Sequence, residues 1–204
     1  MVTGSFFLVE RKKIEDCGIH SNSETSRNFC RCNPGYSSNP PGSGATIPVC
    51  VECAANTYKV GSNQNPCLAC GTFMQSQSAS ALQSQCLCNQ GYHFTSSFAS
   101  CVACGAGTYK DSVQNNGPSD CTSCPDDSFS PSISTHLSNC TCNAGFTRSQ
   151  GTAACDACGK GTFKADQGDS PCQDCGVGTY DPNLNATKCF DCYDNSASPA
   201  GSDA

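Results

Sequence analysis

Apolar residues along this chain never keep helical spacing. No long stretch places them at i, i+3 and i+4, so helix is expected to be scarce. They come singly or in short groups beside glycine or cysteine, with Ser, Asn and Thr between them. That pattern predicts short β-hairpins and tight turns. The aromatic residues recur at matching places. Tyr36, Tyr92 and Phe146 close an Asn-x-Gly-aromatic phrase, and Tyr58, Phe73, Tyr109, Phe163 and Tyr180 each follow a threonine. These rings are expected to pack on neighbouring disulfides as small satellite cores. Gly35, Gly91 and Gly145 are expected in turns of positive φ.

The phrases belong to a repeat. Cys30-Arg-Cys32-Asn-Pro-Gly-Tyr, Cys86-Leu-Cys88-Asn-Gln-Gly-Tyr and Cys140-Thr-Cys142-Asn-Ala-Gly-Phe open successive units, with periods of 56 (88 − 32) and 54 (142 − 88). A fixed period of this size marks a tandem array. The organisation expected is an N-terminal strand and partial repeat at 1–29, cysteine-rich repeats at 30–85, 86–139 and 140–192, and a flexible tail at 193–204. Within the first segment, Ser5 to Val9 reads as an edge strand and Glu10 to Lys13 as a solvated run. A membrane-surface anchor there lacks the amphipathic length. Neighbouring units share boundary cysteines, and no long linker separates them, which favours a stiff rod. The fold class expected is therefore small and disulfide-rich: short β-hairpin repeats stacked into an elongated rod, with little or no helix.

Composition sharpens this picture. The chain has 204 residues, 21 of them Cys, no Trp, 6 Tyr and 10 Phe. Such a density of cysteine with so little aliphatic material points to covalent staples in place of a core, in an oxidising compartment. There are seven Cys-x-x-Cys pairs and three Cys-x-Cys pairs; Cys17 stands alone, with Ile14 where a partner would be. Spacing does not fix connectivity. One scheme handles the odd cysteine by joining each cysteine to the next across a gap and never within a pair. It gives Cys17–Cys30, Cys32–Cys50, Cys53–Cys67, Cys70–Cys86, Cys88–Cys101, Cys104–Cys121, Cys124–Cys140, Cys142–Cys155, Cys158–Cys172 and Cys175–Cys189. Cys192 is left unpaired or intermolecular. A loop of ~15 residues closed this way contributes roughly 3 kcal/mol in the chain-entropy model.

The phrase Cys-x-Cys-Asn-x-Gly-aromatic resembles the C-terminal part of an epidermal-growth-factor-like module. That resemblance implies the pairs Cys32–Cys50, Cys88–Cys101 and Cys142–Cys155. The segments Cys-x-x-Cys-x-x-Gly-Thr-aromatic resemble the cysteine-rich repeats of tumour-necrosis-factor receptors. Their alternation is most similar to the ephrin-receptor-like cysteine-rich repeat, best from Cys101 to Phe146 and more weakly over 17–192. Cys53 departs from it, being followed by Ala-Ala-Asn-Thr-Tyr without the usual glycine. The repeat is found in extracellular multidomain proteins and protist surface proteins. The resemblance implies a fold and a compartment, with no catalytic residues to carry over.

Cys50, Cys53, Cys67 and Cys70 have spacing near that of a four-cysteine zinc site, but the Cys-x-Cys pairs have no place in one. No metal and no cofactor are expected. A redox use of the Cys-x-x-Cys pairs needs a βαβ context, which is absent. His20, His93 and His136 share no motif and read as isolated surface residues. Asp181-x-Asn183-x-Asn185 lacks the glycine and glutamate of a calcium loop. No nucleophile–histidine–acid grouping or phosphate loop stands out, so no enzyme is expected. A net charge of −6 argues against a nucleic-acid surface. No apolar run approaches the ~20 residues of a spanning helix. Phe6 to Val9 is too short for a signal-peptide core, so the chain reads as a piece of a longer secreted or surface protein, or as one whose true start lies upstream. Asn185-Ala186-Thr187 and Asn139-Cys140-Thr141 are glycosylation triplets. The function expected is an extracellular structural or adhesive glycoprotein, the shaft of a stalk or filament subunit. The alternative is a receptor ectodomain that grips a protein along its side. Partners are expected to be proteins, including copies of itself head to tail, with membrane contact only through segments outside this chain.

Overall fold

The structure is a computed structural model, and it describes residues 17–23, 29–95, 100–113, 120–194 and 196–204. The strand expected at Ser5 to Val9 and the charged run at 10–13 lie outside the described residues. Among the described residues there is no α-helix. Twenty strands of two to four residues pair into ten two-stranded sheets, with single 3-10 turns at Gln83–Gln85 and Leu137–Asn139. Two-stranded ribbons this short are not stable alone in water, so other forces must hold them.

The chain divides into two compact units, Met1–Leu87 and Cys88–Ala204. In the first, Ser21–Ser23 pairs with Cys30–Cys32, Tyr36–Asn39 with Val49–Glu52, and Thr57–Tyr58 with Leu68–Ala69, all antiparallel. In the second, the antiparallel pairs are Tyr92–Phe94 with Cys101–Ala103, Thr108–Tyr109 with Thr122–Ser123, and Ser128–Phe129 with Thr141–Cys142. Phe146–Arg148 with Cys155–Ala157, Thr162–Phe163 with Gln173–Asp174, and Thr179–Tyr180 with Phe190–Asp191 follow.

A finer repeat than the sequence phrases underlies these hairpins. After Cys17, Cys32, Cys53, Cys70, Cys88, Cys104, Cys124, Cys142, Cys158 and Cys175 the chain makes the same turn. The amide four residues on donates to the carbonyl one residue on, as in Thr57 to Ala54 (3.1 Å) and Thr162 to Gly159 (3.1 Å). Where position four is Ser or Thr, its hydroxyl donates to that carbonyl as well, for example Thr108 to Gly105 (2.7 Å). The third residue has positive φ every time: His20, Gly35, Asn56, Phe73, Gly91, Gly107, Asp127, Gly145, Gly161 and Gly178. The third-position glycines expected to have positive φ, Gly35, Gly91 and Gly145, have φ of 81°, 75° and 81°.

Among the described residues the apolar interior is mostly cysteine. Eleven of the thirteen buried hydrophobic residues are cysteines, the others being Phe94 and Ala186. Most of the recurring rings are half-buried, and Phe73 is exposed at 47%. The satellite cores expected from the aromatic residues are thus partial, because many of the cysteines and the sixth residue of most turns occupy the interior.

Residues 193–204 read from sequence as flexible, yet 196–204 are bonded into the second unit. Gly178 N donates to Ser198 O (2.9 Å), Gly201 N to Cys175 O (2.9 Å) and Asp181 N to Ser202 O (3.2 Å). Ser198 is buried, and its hydroxyl donates to Thr179 O (2.9 Å). The small polar composition that suggested a tail is what a turn packed this closely needs.

Candidate functional site

Most of these turns are clasped to the following one by a reciprocal pair of backbone hydrogen bonds. In the first unit Gly35 N donates to Lys59 O (2.9 Å) while Cys53 N donates to Gly35 O (2.8 Å). In the second, Gly145 N donates to Lys164 O and Cys158 N to Gly145 O, both at 2.8 Å. Gly91, Gly107, Gly161 and Gly178 make the same two bonds with their successors. Four of these glycines, Gly35, Gly91, Gly145 and Gly161, have no room for a side chain. A Cβ on Gly35 would sit 2.3 Å from Ala79 O, and one on Gly145 2.3 Å from Asn185 O.

The disulfides close the same joints. Cys17–Cys30, Cys32–Cys50, Cys53–Cys67 and Cys70–Cys86 lie in the first unit. Cys88–Cys101, Cys104–Cys121, Cys124–Cys140, Cys142–Cys155, Cys158–Cys172 and Cys175–Cys189 lie in the second. Sequence separations run from 13 to 18. Cys192 is the free thiol, partly exposed, and its Sγ donates to Ser198 Oγ at 3.3 Å.

The sixth residue after the turn cysteine points inward, and sequence reasoning missed it. Lys59, Lys110 and Lys164 occupy this place and are 2%, 2% and 4% exposed. Lys59 Nζ donates to the carbonyls of Cys32 (3.2 Å), Asn33 (3.2 Å) and Gly61 (3.1 Å). Lys110 Nζ donates to Cys88 O (3.3 Å). Lys164 Nζ lies within bonding distance of Cys142 O (3.2 Å), Asn143 O (3.1 Å), Phe146 O (2.5 Å) and Gly168 O (2.5 Å). Each ammonium thus caps carbonyls of a Cys-x-Cys-Asn opener. Burial pushes all three below the usual lysine value. Asp120 opposes this at Lys110 and Asp169 at Lys164. The signal was present in the sequence as Thr-aromatic-Lys, three times over. At Ser38, Ser130 and Ser198 a buried hydroxyl takes the same place.

Arg148 and Asp169 form a second clasp. Arg148 Nη2 donates to Asp169 Oδ1 at 2.9 Å and to Cys140 O, and Nη1 to Ala153 O at 2.9 Å. Cys142 N also donates to Asp169 Oδ1 (3.2 Å). Burial pushes Asp169 up, but the hydrogen bonds from Arg148 and Cys142 and the charges of Arg148 and Lys164 outweigh it and hold the carboxyl below its ordinary value. A shallow cavity of about 400 Å³ adjoins this pair, lined by His136, Leu137, Ser138, Thr152 and Ala153.

The histidines sit apart. His20 stacks on Tyr36, ring centroids 4.1 Å apart. His93 Nδ1 lies 3.0 Å from Phe94 O, and His136 Nδ1 accepts from Ser138 N (3.1 Å). Among the described residues no group of three or more His, Cys, Asp or Glu is placed to hold a metal ion. No described helix is long and apolar enough to cross a membrane. Of the two triplet asparagines, Asn139 Oδ1 accepts from Thr135 N (3.2 Å) and His136 N (3.0 Å). Asn185 is exposed at φ 54°, held through its backbone N–H to Cys158 O (2.9 Å).

The family model described as tyrosine-protein kinase ephrin type A/B receptor-like fits residues 145–192. That segment is similar to an ephrin-receptor-like cysteine-rich repeat. It begins at Gly145, the joint glycine, and ends at Cys192. Over 68 residues the chain is 41% identical to the mouse (Mus musculus) sushi, von Willebrand factor type A, EGF and pentraxin domain-containing protein 1, covering 33% of this chain and 2% of that protein. It is 31% identical over 81 residues to cysteine repeat modular protein A of Toxoplasma gondii, 39% of this chain and 2% of that one. It is 31% identical over 112 residues to mouse ephrin type-B receptor 4, 55% of this chain and 10% of the receptor. These are extracellular-type cysteine-rich repeats, homologous to segments of a receptor and of a sushi- and EGF-containing protein. The chain spans a small fraction of each relative, and ephrin-receptor-like repeats occupy only part of such proteins.

Proposed function

We propose that this chain is a length of shaft in an extracellular structural or adhesive glycoprotein, secreted or held at a cell surface, with repeats at 30–85, 86–139 and 140–192 as its modules. The observation that supports this reading is the joint itself. The same reciprocal hydrogen-bond pair recurs within each unit, and every disulfide closes a loop whose ends are at most 18 positions apart. An array whose bonds are all local extends rather than folds back, as in other repeat proteins. Its partners are proteins, and a rod with unlike ends suits head-to-tail contact with copies of itself. Membrane attachment, where it occurs, comes from segments outside this chain. The test is small-angle scattering on the disulfide-intact protein. A compact chain of this length has a radius of gyration of about 17 Å; the shaft should be clearly larger. A value at the compact figure refutes it.

A second reading is favoured by the match over 112 residues to ephrin type-B receptor 4: an ectodomain segment that grips a protein ligand along its side. A compact radius of gyration moves the weight to this reading.

A further inference from the structure

The two asparagine triplets are not equivalent. We propose that Asn185 is the N-glycan acceptor of this chain, and that Asn139 stays largely unoccupied. The inference rests on the extracellular reading above, because the glycan donor is met only on the secretory route. The step is transfer of an oligosaccharide from a polyprenyl pyrophosphate. Asn185 Nδ2 forms a bond to the anomeric carbon of the sugar, the bond from that carbon to the pyrophosphate oxygen breaks, and Nδ2 loses one proton to the transferase base. No oxidant or reductant is needed.

Asn185 is built to carry such a group. Its backbone is pinned on both sides: Asn185 N donates to Cys158 O (2.9 Å), and Ala186 O accepts from Lys164 N (3.0 Å). Asn185 O packs against Gly145, so the backbone faces the joint. The side chains of Asn185 and Thr187 are exposed and make no hydrogen bond among the described residues. Leu184 beside them is 57% exposed. A glycan here would stand on a rigid base and disturb no bond. The same joint position is Ala79 in the first unit and Ile133 in the second, at φ 57° and 64°. Asparagine has its own reason to sit at positive φ, but Thr187 has no structural task. Its presence two residues on is the part of the triplet that packing does not explain.

Asn139 is placed differently. Its Oδ1 is engaged by the amides of Thr135 and His136. Cys140, the middle residue, is fully buried and bonded to Cys124 upstream. That disulfide can close as soon as Cys140 is made, folding the triplet away from the transferase. Thr141 Oγ1 accepts from Gln167 Nε2 (2.8 Å). In contrast, Asn185-Ala186-Thr187 contains no cysteine.

The experiment is secretion of the full chain from a glycosylating eukaryotic host, amidase treatment in heavy-oxygen water, and peptide mass spectrometry. Expected is a labelled aspartate at 185 in most molecules and at 139 in few. Thr187→Ala should remove one glycan's mass and Thr187→Ser should keep it, which separates loss of the acceptor from misfolding. Secreted, disulfide-intact protein with unmodified Asn185, or with Asn139 occupied at least as fully, overturns the proposal and leaves the extracellular reading standing. Retention inside the cell with reduced cysteines overturns both.

Discussion

Replacing Lys164 by methionine tests whether the buried ammoniums hold the joints. Methionine keeps most of the length and apolar stem but donates nothing. Four carbonyls then lose their donor. Those of Cys142 and Asn143 keep backbone partners, Gly168 N (2.8 Å) and Phe146 N (3.1 Å). The carbonyls of Phe146 and Gly168 lose a charged donor at 2.5 Å each. Hydrogen bonds to charged groups are worth about 1.5–3 kcal/mol, and a buried acceptor left bare costs about 1–3 kcal/mol. Against this stands the relief of a desolvated charge. The net local cost is roughly 2–4 kcal/mol, or about 30- to 1,000-fold in an opening equilibrium. A disulfide-closed array opens locally rather than in one step, so the assay is amide hydrogen exchange. Gly145 N–H, which bonds Lys164 O, and Gly168 N–H, which bonds Cys142 O, should exchange faster by that factor. Lys160, exposed in the neighbouring turn, is the control, and its methionine variant should change little. Exchange at Gly145 and Gly168 within threefold of wild type, with all ten disulfides intact by mass, would refute the claim.

Two further outcomes follow from the same joints. Gly145→Ala puts a Cβ 2.3 Å from Asn185 O at φ 81° and should cost about 2–4 kcal/mol locally, read as faster exchange at the Cys158 and Asn185 amides. Gly159→Ala has open space and should leave those amides alone, so equal effects would argue against a steric joint. Asp169 is held below the ordinary carboxylate value, so its contribution is present at neutral pH and lost as pH falls through its lowered value. The pair is 21% and 42% exposed, which limits the effect to under about 1 kcal/mol. Asp169→Asn should therefore speed exchange of the Cys142 amide at neutral pH and match wild type in acid. A difference that persists in acid would assign the effect to shape rather than charge.

Hydropathy and cysteine spacing made the architecture legible because in this chain they are nearly the whole of it. Absence of helical period, phrases repeating every 54 to 56 residues and a tenth of the chain as cysteine leave little besides stapled hairpins. The finer turn was not legible, and the reason is steric. Its third residue takes positive φ whether it is Gly35, Asn56, Phe73 or Asp127, so only the glycine cases advertise it. Phe73 and, at a related joint, Ile133 hold conformations that cost a side-chain-bearing residue about 1–2 kcal/mol. The disulfides beside them supply that, and single-residue propensity does not register it. The buried lysines were hidden for a different reason. Lysine is read as surface unless its neighbours say otherwise. Here the neighbours are backbone carbonyls, which no sequence pattern displays.

The sixth position also explains how one joint can serve repeats of different composition. Where a lysine stands there, the opener before it is Cys-x-Cys-Asn, and the ammonium adds bonds to opener carbonyls that also accept from backbone amides, as at Cys142 and Asn143. Where serine stands there, as at Ser130 and Ser198, one hydroxyl satisfies one carbonyl, that of Thr108 (3.0 Å) or Thr179 (2.9 Å). At Asp181 the side chain turns back to its own loop and accepts from Asn183 N (2.8 Å), leaving the clasp to the backbone. The backbone clasp is therefore common, and the inward side chain differs from turn to turn. The glycine, the cysteine and this residue are constrained together.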